Sequence, residues 1–503
     1  MNVSDLVRAS AAARGEQPAV VFHDHPTTYA DLDKMIDRAA AGFSRLGVSR
    51  GDRVALLMHN SLHFVLAYFA ILRAGGAVVP MNTGFTAEEL AFVLADSGTR
   101  ALVADAPYLE SLSGIRETLP ALESVVVPAT SAPVGAITWD QMVDLGGAAP
   151  KARTAGKDLA LVAYTSGTTG KPKGAMLTHA NLVANIEQMA RAKTLRETPD
   201  DVILAVLPLF HIYGLNSALC LAMRVGASVV LLERFDPAES LEAIGRHGVT
   251  VVFGAPPMFV AWANLLEAGR VEMKTVRLAV SGAAPLPAAV LERFESQYGV
   301  RIWEGYGITE ASPVVASNAM CPHPKPASVG KPLPGVKVRL VDADGREVEH
   351  GDPGEVLVRG DNVFAGYWNR SEETQAVLRG GWFATGDVAY ADDEGYLFLV
   401  DRKKDLIIVS GFNVYPREVE EVLARSPKVA EAAVVGEPHP YTGEAVKAFV
   451  VLRPGEEAAA EELIEHCRKS LARFKCPQAV EFVDELPHLA TGKIARRALR
   501  HTA

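Results

Sequence analysis

The stretch Tyr164–Gly174 carries three glycines (Gly167, Gly170, Gly174), four aliphatic hydroxyls (Thr165, Ser166, Thr168, Thr169) and two lysines (Lys171, Lys173). Glycine admits φ > 0 and lets the backbone approach a ligand closely. Successive N–H groups in such a loop form a concave anion site, and the hydroxyls and ammonium groups add charge-matched donors. Leu159–Tyr164 ahead of it reads as a short buried strand, and Met176–Leu182 behind it as the start of a helix. A glycine- and charge-rich loop directly after an apolar strand is the usual setting for phosphate; a flexible surface loop is the plainer alternative. It is not a Walker A loop, which needs Gly, four residues, then Gly-Lys-Ser/Thr. Gly167 and Gly170 are too close for that, and Pro172 follows Lys171, where proline offers no N–H.

Other stretches could do related chemistry. Tyr306-Gly307-Ile308-Thr309-Glu310 follows a predicted strand end, and in α/β sheets ligands bind beyond the carboxyl ends of strands. With a phosphate loop upstream, the Glu310 carboxylate suits Mg²⁺, which takes one or two carboxylates plus phosphate oxygens. Alone, it would pass equally for an acidic residue in the first turn of a helix. Ser281–Leu286 also follows a strand, and its small residues Gly282, Ala283 and Ala284 would let a flat ring lie on the backbone, although a tight turn has the same composition. Thr385-Gly386-Asp387 sets a carboxylate beside a glycine turn, a group that holds ribose hydroxyls or merely faces solvent. His211, flanked by Phe210 and Tyr213, suits the wall of an acyl pocket, while a lone histidine is more often structural. Thr491-Gly492-Lys493-Ile494 precedes a basic helix with Arg496, Arg497 and Arg500. Its lysine is either a point charge aimed at a phosphate or part of a solvated tail. Together these groups suit activation of a carboxylate by ATP, in which a carboxylate oxygen attacks the α-phosphorus and pyrophosphate leaves. That chemistry needs positioning and charge neutralisation rather than a protein nucleophile.

The elements that must hold these residues alternate. A helix, a short hairpin around His23–Pro26 and a second helix from Asp31 to Leu46 open the chain. The strand Val54–Met58, a helix with Ser61 as N-cap and Gly75 as stop, and the strand Ala77–Pro80 follow. After the loop come strands at Val202–Val206, Ala227–Leu232, Val249–Phe253, Val276–Val280 and Val300–Trp303. Helices at Ser217–Arg224, Ala238–Arg246, Met258–Leu266 and Ala288–Tyr298 separate them. Such alternation predicts layered, largely parallel α/β sheets. From about 330 short β-type segments take over, separated by turns such as Asp344-Gly345. The expected fold is therefore α/β: a large N-terminal domain of layered sheets with a small β-rich subdomain over 1–400, a hinge at 401–404, and a smaller, mobile α+β C-terminal domain over 405–503.

Bulk properties narrow the classes. The chain has 503 residues, 49% hydrophobic and 22% charged, as in soluble globular proteins. Its formal net charge of -10 argues against a nucleic-acid partner, which needs a positive field. Cys220, Cys321, Cys467 and Cys476 have no metal-type spacing and suggest free thiols in a reducing compartment. Met1–Arg8 lacks a basic segment followed by an apolar run, and Phe64–Leu72 is too short to span a bilayer. A cytoplasmic protein without an integral membrane segment, monomeric or homodimeric, is the expectation.

The stretches taken together resemble the adenylate-forming superfamily of acyl-CoA synthetases, luciferases and peptide-synthetase adenylation domains. The resemblance runs from about Tyr29 to Arg500 and includes, in order, Tyr164–Gly174, Ser281–Leu286, Tyr306–Glu310, Thr385–Asp387, Asp401–Asp405, Ser410–Pro416 and Thr491–Lys493. Within the superfamily it looks most like the fatty and aryl acyl-CoA synthetases. It implies ATP, Mg²⁺ and coenzyme A as cofactor and co-substrates, and a carboxylic acid as substrate. By the same resemblance Thr165, Ser166, Gly167, Thr168, Thr169, Gly170, Lys171 and Lys173 would cradle the β- and γ-phosphates. Thr165 and Glu310 would be associated with Mg²⁺, and Thr309 with the α-phosphate. Ala283, Ala284, Gly305 and Tyr306 would frame the adenine, and Asp387 and Arg402 would hold the ribose. Lys404 would sit at the hinge. Lys493 would neutralise charge during adenylation and then swing away, bringing the Gly411 loop beside a pantetheine tunnel for thioester formation.

His211, Tyr213, Asn216, Phe253, Met258, Gly305, Ile308 and Val314 are the acid-pocket candidates, and they are mostly apolar. No arginine stands in Met258–Leu266 to pair a second carboxylate, which argues against malonate-type acids. A medium- or long-chain fatty acid is expected, with an aryl or cinnamate-like acid as the alternative. Rival readings are an adenylating enzyme that loads a carrier protein in trans, a light-emitting oxygenase and a noncatalytic nucleotide-binding relative. Two outcomes test the implied division of labour. Lys493→Ala should abolish adenylate formation yet spare thioester formation from supplied acyl-adenylate, and equal loss of both half-reactions would count against alternation. Gly411→Leu should do the reverse by obstructing the tunnel, and unaltered CoA kinetics would remove the loop from that place.

Overall fold

The computed structural model describes residues 1–147, 154–165, 172–191, 197–265, 272–402, 405–409, 412–439, 443–488 and 494–500. The chain forms two compact units. One comprises Met1–Lys337 and Val358–Phe383, the other Val338–Leu357 and Ala384–Ala503.

The first unit is built on two large sheets. A seven-stranded sheet runs in the order Ile137–Thr138, Ser124–Val127, Ala101–Ala104, Arg53–Leu57, Ala77–Pro80, Leu159–Thr165, Lys173–Thr178. All its pairs are parallel except the last, a hairpin. Its inner strands are Val- and Leu-rich, with Val54, Ala55, Leu56, Val78 and Val79 all fully buried. That is the texture of parallel strands covered on both faces. A nine-stranded sheet runs in the order Lys331–Pro332, Val314–Ser317, Ile302–Gly307, Leu278–Ser281, Val251–Gly254, Val202–Ala205, Ser228–Leu231, Pro18–Phe22, His25–Thr28. Its central strands are parallel. The strand order reverses at Val202–Ala205, so the crevice beyond that strand and Val251–Gly254 is where a ligand belongs in such a sheet.

Local chemistry sets the helix limits. Ser61 Oγ accepts from Phe64 N at 3.1 Å, and Gly75 ends the same helix at φ 94°; such caps contribute about 1 kcal/mol. The opening hairpin turns through His23 and Asp24, both with positive φ. Two expected elements differ. Lys173–Thr178 is a strand, and the helix begins only at His179, with Thr178 as N-cap accepting from Asn181 N at 3.2 Å. The expected helix at Ser217–Arg224 starts earlier, as a π-helix over Tyr213–Cys220 that continues as the α-helix Leu221–Val225. Leu215, Leu219, Cys220 and Leu221 are all fully buried. A segment apolar all round gives no phase from which to read a start.

In the second unit the strands Lys337–Val341, Gly354–Arg359, Trp382–Ala391 and Leu397–Arg402 lie side by side, the unit boundary passing through the first three. A further sheet orders Phe412–Val414, Ile407–Val409, Gly443–Leu452 and Val429–His439, with Ala479–Phe482 parallel to Gly443–Leu452. Helices Pro416–Ala424 and Ala460–Arg468 supply Val419, Leu423, Leu463 and Cys467 to its core. The fold is α/β, with several sheets and a separate β-rich C-terminal part. Among the described residues no helix is long and apolar enough to cross a membrane.

Candidate functional site

The phosphate-type loop is the tip of an antiparallel hairpin, in which Thr165 pairs with Lys173 and Tyr164 with Gly174. Ser166, Gly167, Thr168, Thr169, Gly170 and Lys171 lie outside the described residues. The strands beneath the tip are closely fitted: a Cβ on Gly174 would come 2.6 Å from Val162 Cγ1. Tyr164 Oη donates to Asp96 Oδ2 at 2.7 Å, which ties the strand end to the helix Ala87–Ser97. The outer edge of the hairpin is covered as well. Ala175 bridges Tyr367, Trp368 N donates to Gly174 O at 2.8 Å, and Met176 N donates to Gly366 O at 2.9 Å.

Thr309 and Glu310 sit in a one-turn 3₁₀ segment just past the strand Ile302–Gly307. The turn closes on itself through Ile308 N to Pro313 O at 2.9 Å. Four side-chain amides hold it from outside. Asn362 Nδ2 donates to Ala311 O at 2.8 Å, and Asn216 Nδ2 to Ser312 O at 2.6 Å. Asn185 brackets Val314, accepting from its N–H at 3.1 Å and donating to its carbonyl at 2.8 Å. Gln188 accepts from Asn185 at 3.1 Å. Asn185, Asn216 and Asn362 are fully buried, so each bond is made where an unpaired carbonyl would be costly. Asn216, an expected pocket residue, thus directs its amide at the backbone of this turn and at Leu182 O.

The Glu310 carboxylate is itself positioned. Tyr367 Oη donates to its Oε1 at 2.8 Å, and Phe364 N donates to its backbone carbonyl at 2.8 Å. Burial, with the nearby Glu310 charge second, holds the Tyr367 phenol well above its ordinary range, so it remains a neutral donor. Glu310 offers a hard carboxylate oxygen and Thr165 a hydroxyl, donors that suit Mg²⁺. No group of three or more His, Cys, Asp or Glu that could hold a metal stands among the described residues.

Beyond the carboxyl ends of the nine-stranded sheet, Tyr213 packs edge-on against Phe253 with centroids 6.1 Å apart. It donates its hydroxyl to Val280 O at 3.1 Å. A Cβ on Gly282 would stand 3.0 Å from the Tyr213 ring, so the ring lies flat against that backbone. Burial pushes the Tyr213 phenol upward as well. Ala283, next in line, adopts φ 74° without being glycine, a conformation that costs about 1–2 kcal/mol. Met258 Sδ accepts from Ala255 N at 3.4 Å at the start of the helix Pro256–Asn264. His211 begins the turn into the π-helix, its carbonyl accepting from Leu215 N at 2.9 Å. Tyr306 is buried in its strand opposite Ala316, and Gly305 lies opposite Ser317. Tyr213, Phe253, Gly282, Ala283 and Met258 are thus gathered at one end of the sheet, with Gly305, Tyr306 and Val314 on neighbouring strands and Ile308 just past one of them.

In the second unit Asp387 lies within the strand Trp382–Ala391 rather than in an open turn. It is buried, its N–H donates to Thr385 Oγ1 at 3.0 Å, and it pairs in register with Arg402. The side chain of Arg402 and all of Lys404, Gly411 and Lys493 lie outside the described residues. Sequence reasoning missed Tyr367, Asp96, Arg370, Glu373 and the amides of Asn185, Gln188 and Asn362, and it read Asn216 as pocket lining rather than as a brace of the turn. The aromatic and acidic run Tyr367–Glu373 is the one signal that could have pointed to part of this set.

Comparison with known proteins gives a consistent result. A family model described as AMP-binding enzyme matches residues 7–368, and one described as AMP-binding enzyme C-terminal domain matches residues 418–493. The chain is 36% identical to a long-chain-fatty-acid–CoA ligase of Bacillus subtilis (strain 168), over 99% of this chain and 94% of that protein. Among solved structures it resembles the anthranilate CoA ligase AuaEII in complex with anthranoyl-AMP, with TM-score 0.93, 31% identity, and 100% and 97% of the two chains covered. It also resembles ATP-bound MatB from Rhodopseudomonas palustris, with TM-score 0.92, 34% identity, and 100% and 99% covered.

The amide clamp can be tested directly. Asn362→Leu keeps the branching of the side chain, with bulkier methyl groups, but leaves Ala311 O unpaired, and should lower stability by about 1–3 kcal/mol or more. A urea midpoint equal to that of the unsubstituted chain would show that other contacts suffice.

Proposed function

The chain belongs to the AMP-binding enzyme family as an AMP-forming acid–CoA ligase, and on that premise we propose that its acid is a medium- or long-chain fatty acid. The observation that carries this reading is the lining of the candidate pocket. Phe253 and Met258 are apolar and buried, the Tyr213 ring packs on Phe253 with its hydroxyl taken up by Val280 O, and the helix Pro256–Asn264 carries no cation. A second carboxylate would find no partner there, whereas an alkyl chain gains about 25 cal/mol for each Å² it buries. The long-chain ligase named above, similar over nearly its whole length, supports the same choice. An aryl acid is the second reading, favoured by the aromatic pair Tyr213 and Phe253, set edge-to-face, and by the likeness to AuaEII.

The reaction divides into two transfers. An oxygen of the acid attacks the α-phosphorus of ATP, the bond to pyrophosphate breaks, and an acyl-adenylate remains. The sulfur of CoA, having lost its proton, then attacks the acyl carbon; the bond to AMP breaks and the thioester forms. The loop from Thr165 to Lys171 would hold the β- and γ-phosphates through backbone N–H groups and hydroxyls. Thr309 would face the α-phosphate. Glu310, with Thr165, would hold Mg²⁺, which when bound offsets charge on the phosphate oxygens. Gly282, Ala283, Ala284, Gly305 and Tyr306 would frame the adenine, and Asp387 with Arg402 the ribose. His211 would stand where the acid meets the nucleotide. Lys493 would supply the cation for the first transfer and the Gly411 loop would serve the second, with 401–404 as the hinge between the parts at 1–400 and 405–503. Four buried thiols with no disulfide among them fit a reducing, cytoplasmic setting.

A panel of acids tests the substrate. Pyrophosphate release with saturated acids of graded length, with benzoate- and cinnamate-type acids and with dicarboxylates should show its largest kcat/KM for a medium or long alkyl chain. A maximum among the aryl acids would establish the second reading, and a maximum among dicarboxylates would refute both. Free CoA offered against a carrier-protein thiol identifies the acceptor.

A further inference from the structure

We propose that Glu373, Lys173 and Tyr367 form a strut that fixes the Glu310 carboxylate, so that Lys173 is a positioning residue rather than a phosphate ligand. The inference rests on the ligase reading only in taking Glu310 as the group that meets the magnesium nucleotide.

Five observations carry it. The Lys173 side chain is 14% exposed, and its ammonium is paired with the Glu373 carboxylate. The same ammonium lies 5.5 Å from the centre of the Tyr367 ring, within cation–π range. The other end of that ring donates to Glu310 Oε1 at 2.8 Å. The backbone on both sides is fixed: Tyr367 N donates to Thr374 Oγ1 at 2.9 Å, and Tyr367 bridges Ala175, two residues beyond Lys173. Glu373 is held in turn, with Arg370 Nε 3.7 Å from its Oε1 and Arg370 Nη2 donating to Asp96 Oδ1 at 3.0 Å. Charge, ring and hydroxyl thus run in one line from Glu373 to Glu310.

A lysine that serves a phosphate acts as a mobile point charge on a flexible stem. To do so here, Lys173 would have to leave a carboxylate and an aromatic face together, and Glu373 would keep only the more distant Arg370. As a strut it keeps both partners. The Tyr367 ring is then confined between the ammonium and the sheet edge, and its hydroxyl sets the direction in which the Glu310 carboxylate points. Groups that orient a metal-holding carboxylate are worth about 10- to 100-fold in metal affinity.

The test uses the full chain and calorimetric ATP affinity in the absence of acid, once in EDTA and once with Mg²⁺. Thermal unfolding is measured alongside. Tyr367→Phe should leave the Mg²⁺-free affinity and the melting temperature unchanged and weaken the Mg²⁺-dependent gain by about 10-fold or more. Lys173→Met should do the same, and Lys173→Glu combined with Glu373→Lys should recover most of that gain, since the pair is remade with its charges exchanged. If the exchanged pair binds ATP worse than Lys173→Met in EDTA, Lys173 touches phosphate and the proposal is wrong. If Tyr367→Phe keeps the full Mg²⁺-dependent gain, it is equally wrong, and this variant decides the matter even where the exchanged pair does not fold. Failure of the ligase reading looks different: Mg²⁺-dependent ATP binding would be intact in the unsubstituted chain, with no pyrophosphate released by any acid.

Discussion

The strand Lys173–Thr178 is paired along both edges. On one side it completes the hairpin with Leu159–Thr165, and on the other it takes up Gly366–Trp368. An edge strand left bare would be a liability; covered in this way, it becomes the meeting place of segments far apart in sequence. The strand that leads to the proposed phosphate loop pairs with one side of it. The residue that holds Glu310 hangs from the other. Most of what the first unit offers chemically depends on that double pairing.

Three of its phenols are also held in the protonated form. Tyr164, Tyr213 and Tyr367 are all pushed above the ordinary phenol range, in each case chiefly by burial. They act as neutral donors to Asp96, Val280 O and Glu310 respectively. A phenol raised in this way remains a hydrogen-bond donor throughout the physiological range.

The sequence made some of this plain. Apolar runs alternating with capped helices foretold the parallel sheets, because burial on both faces leaves a direct mark on composition. Ser61 and Gly75 behave as their types suggested. The hairpin was harder to see. Lys173–Thr178 flows into a helix with hardly a break, and its second partner lies near residue 367, so local pattern favoured a helix from Met176. Asn185 and Asn362, and the bracing role of Asn216, were hidden for a different reason. An asparagine that binds backbone carbonyls in the core reads like any loop asparagine until its partners are known. Tyr367 and Glu373 are ordinary surface-type residues whose meaning lies in what the fold sets beside them. Ser166–Lys171, Gly411 and Lys493, which the motifs singled out most strongly, lie outside the described residues.

The passage of the chain between the two units has a practical side. It crosses after Lys337, after Leu357 and after Phe383, in or beside strands of a shared sheet. A fragment ended at Phe383 would keep Val338–Leu357 while losing the strand partners that follow Ala384, and would show raw sheet edges to its neighbours. Recombination between relatives meets the same obstacle. A single crossover at Phe383 would mate half of a sheet from one parent with half from another, and its success would hinge on how well their pleats interlock.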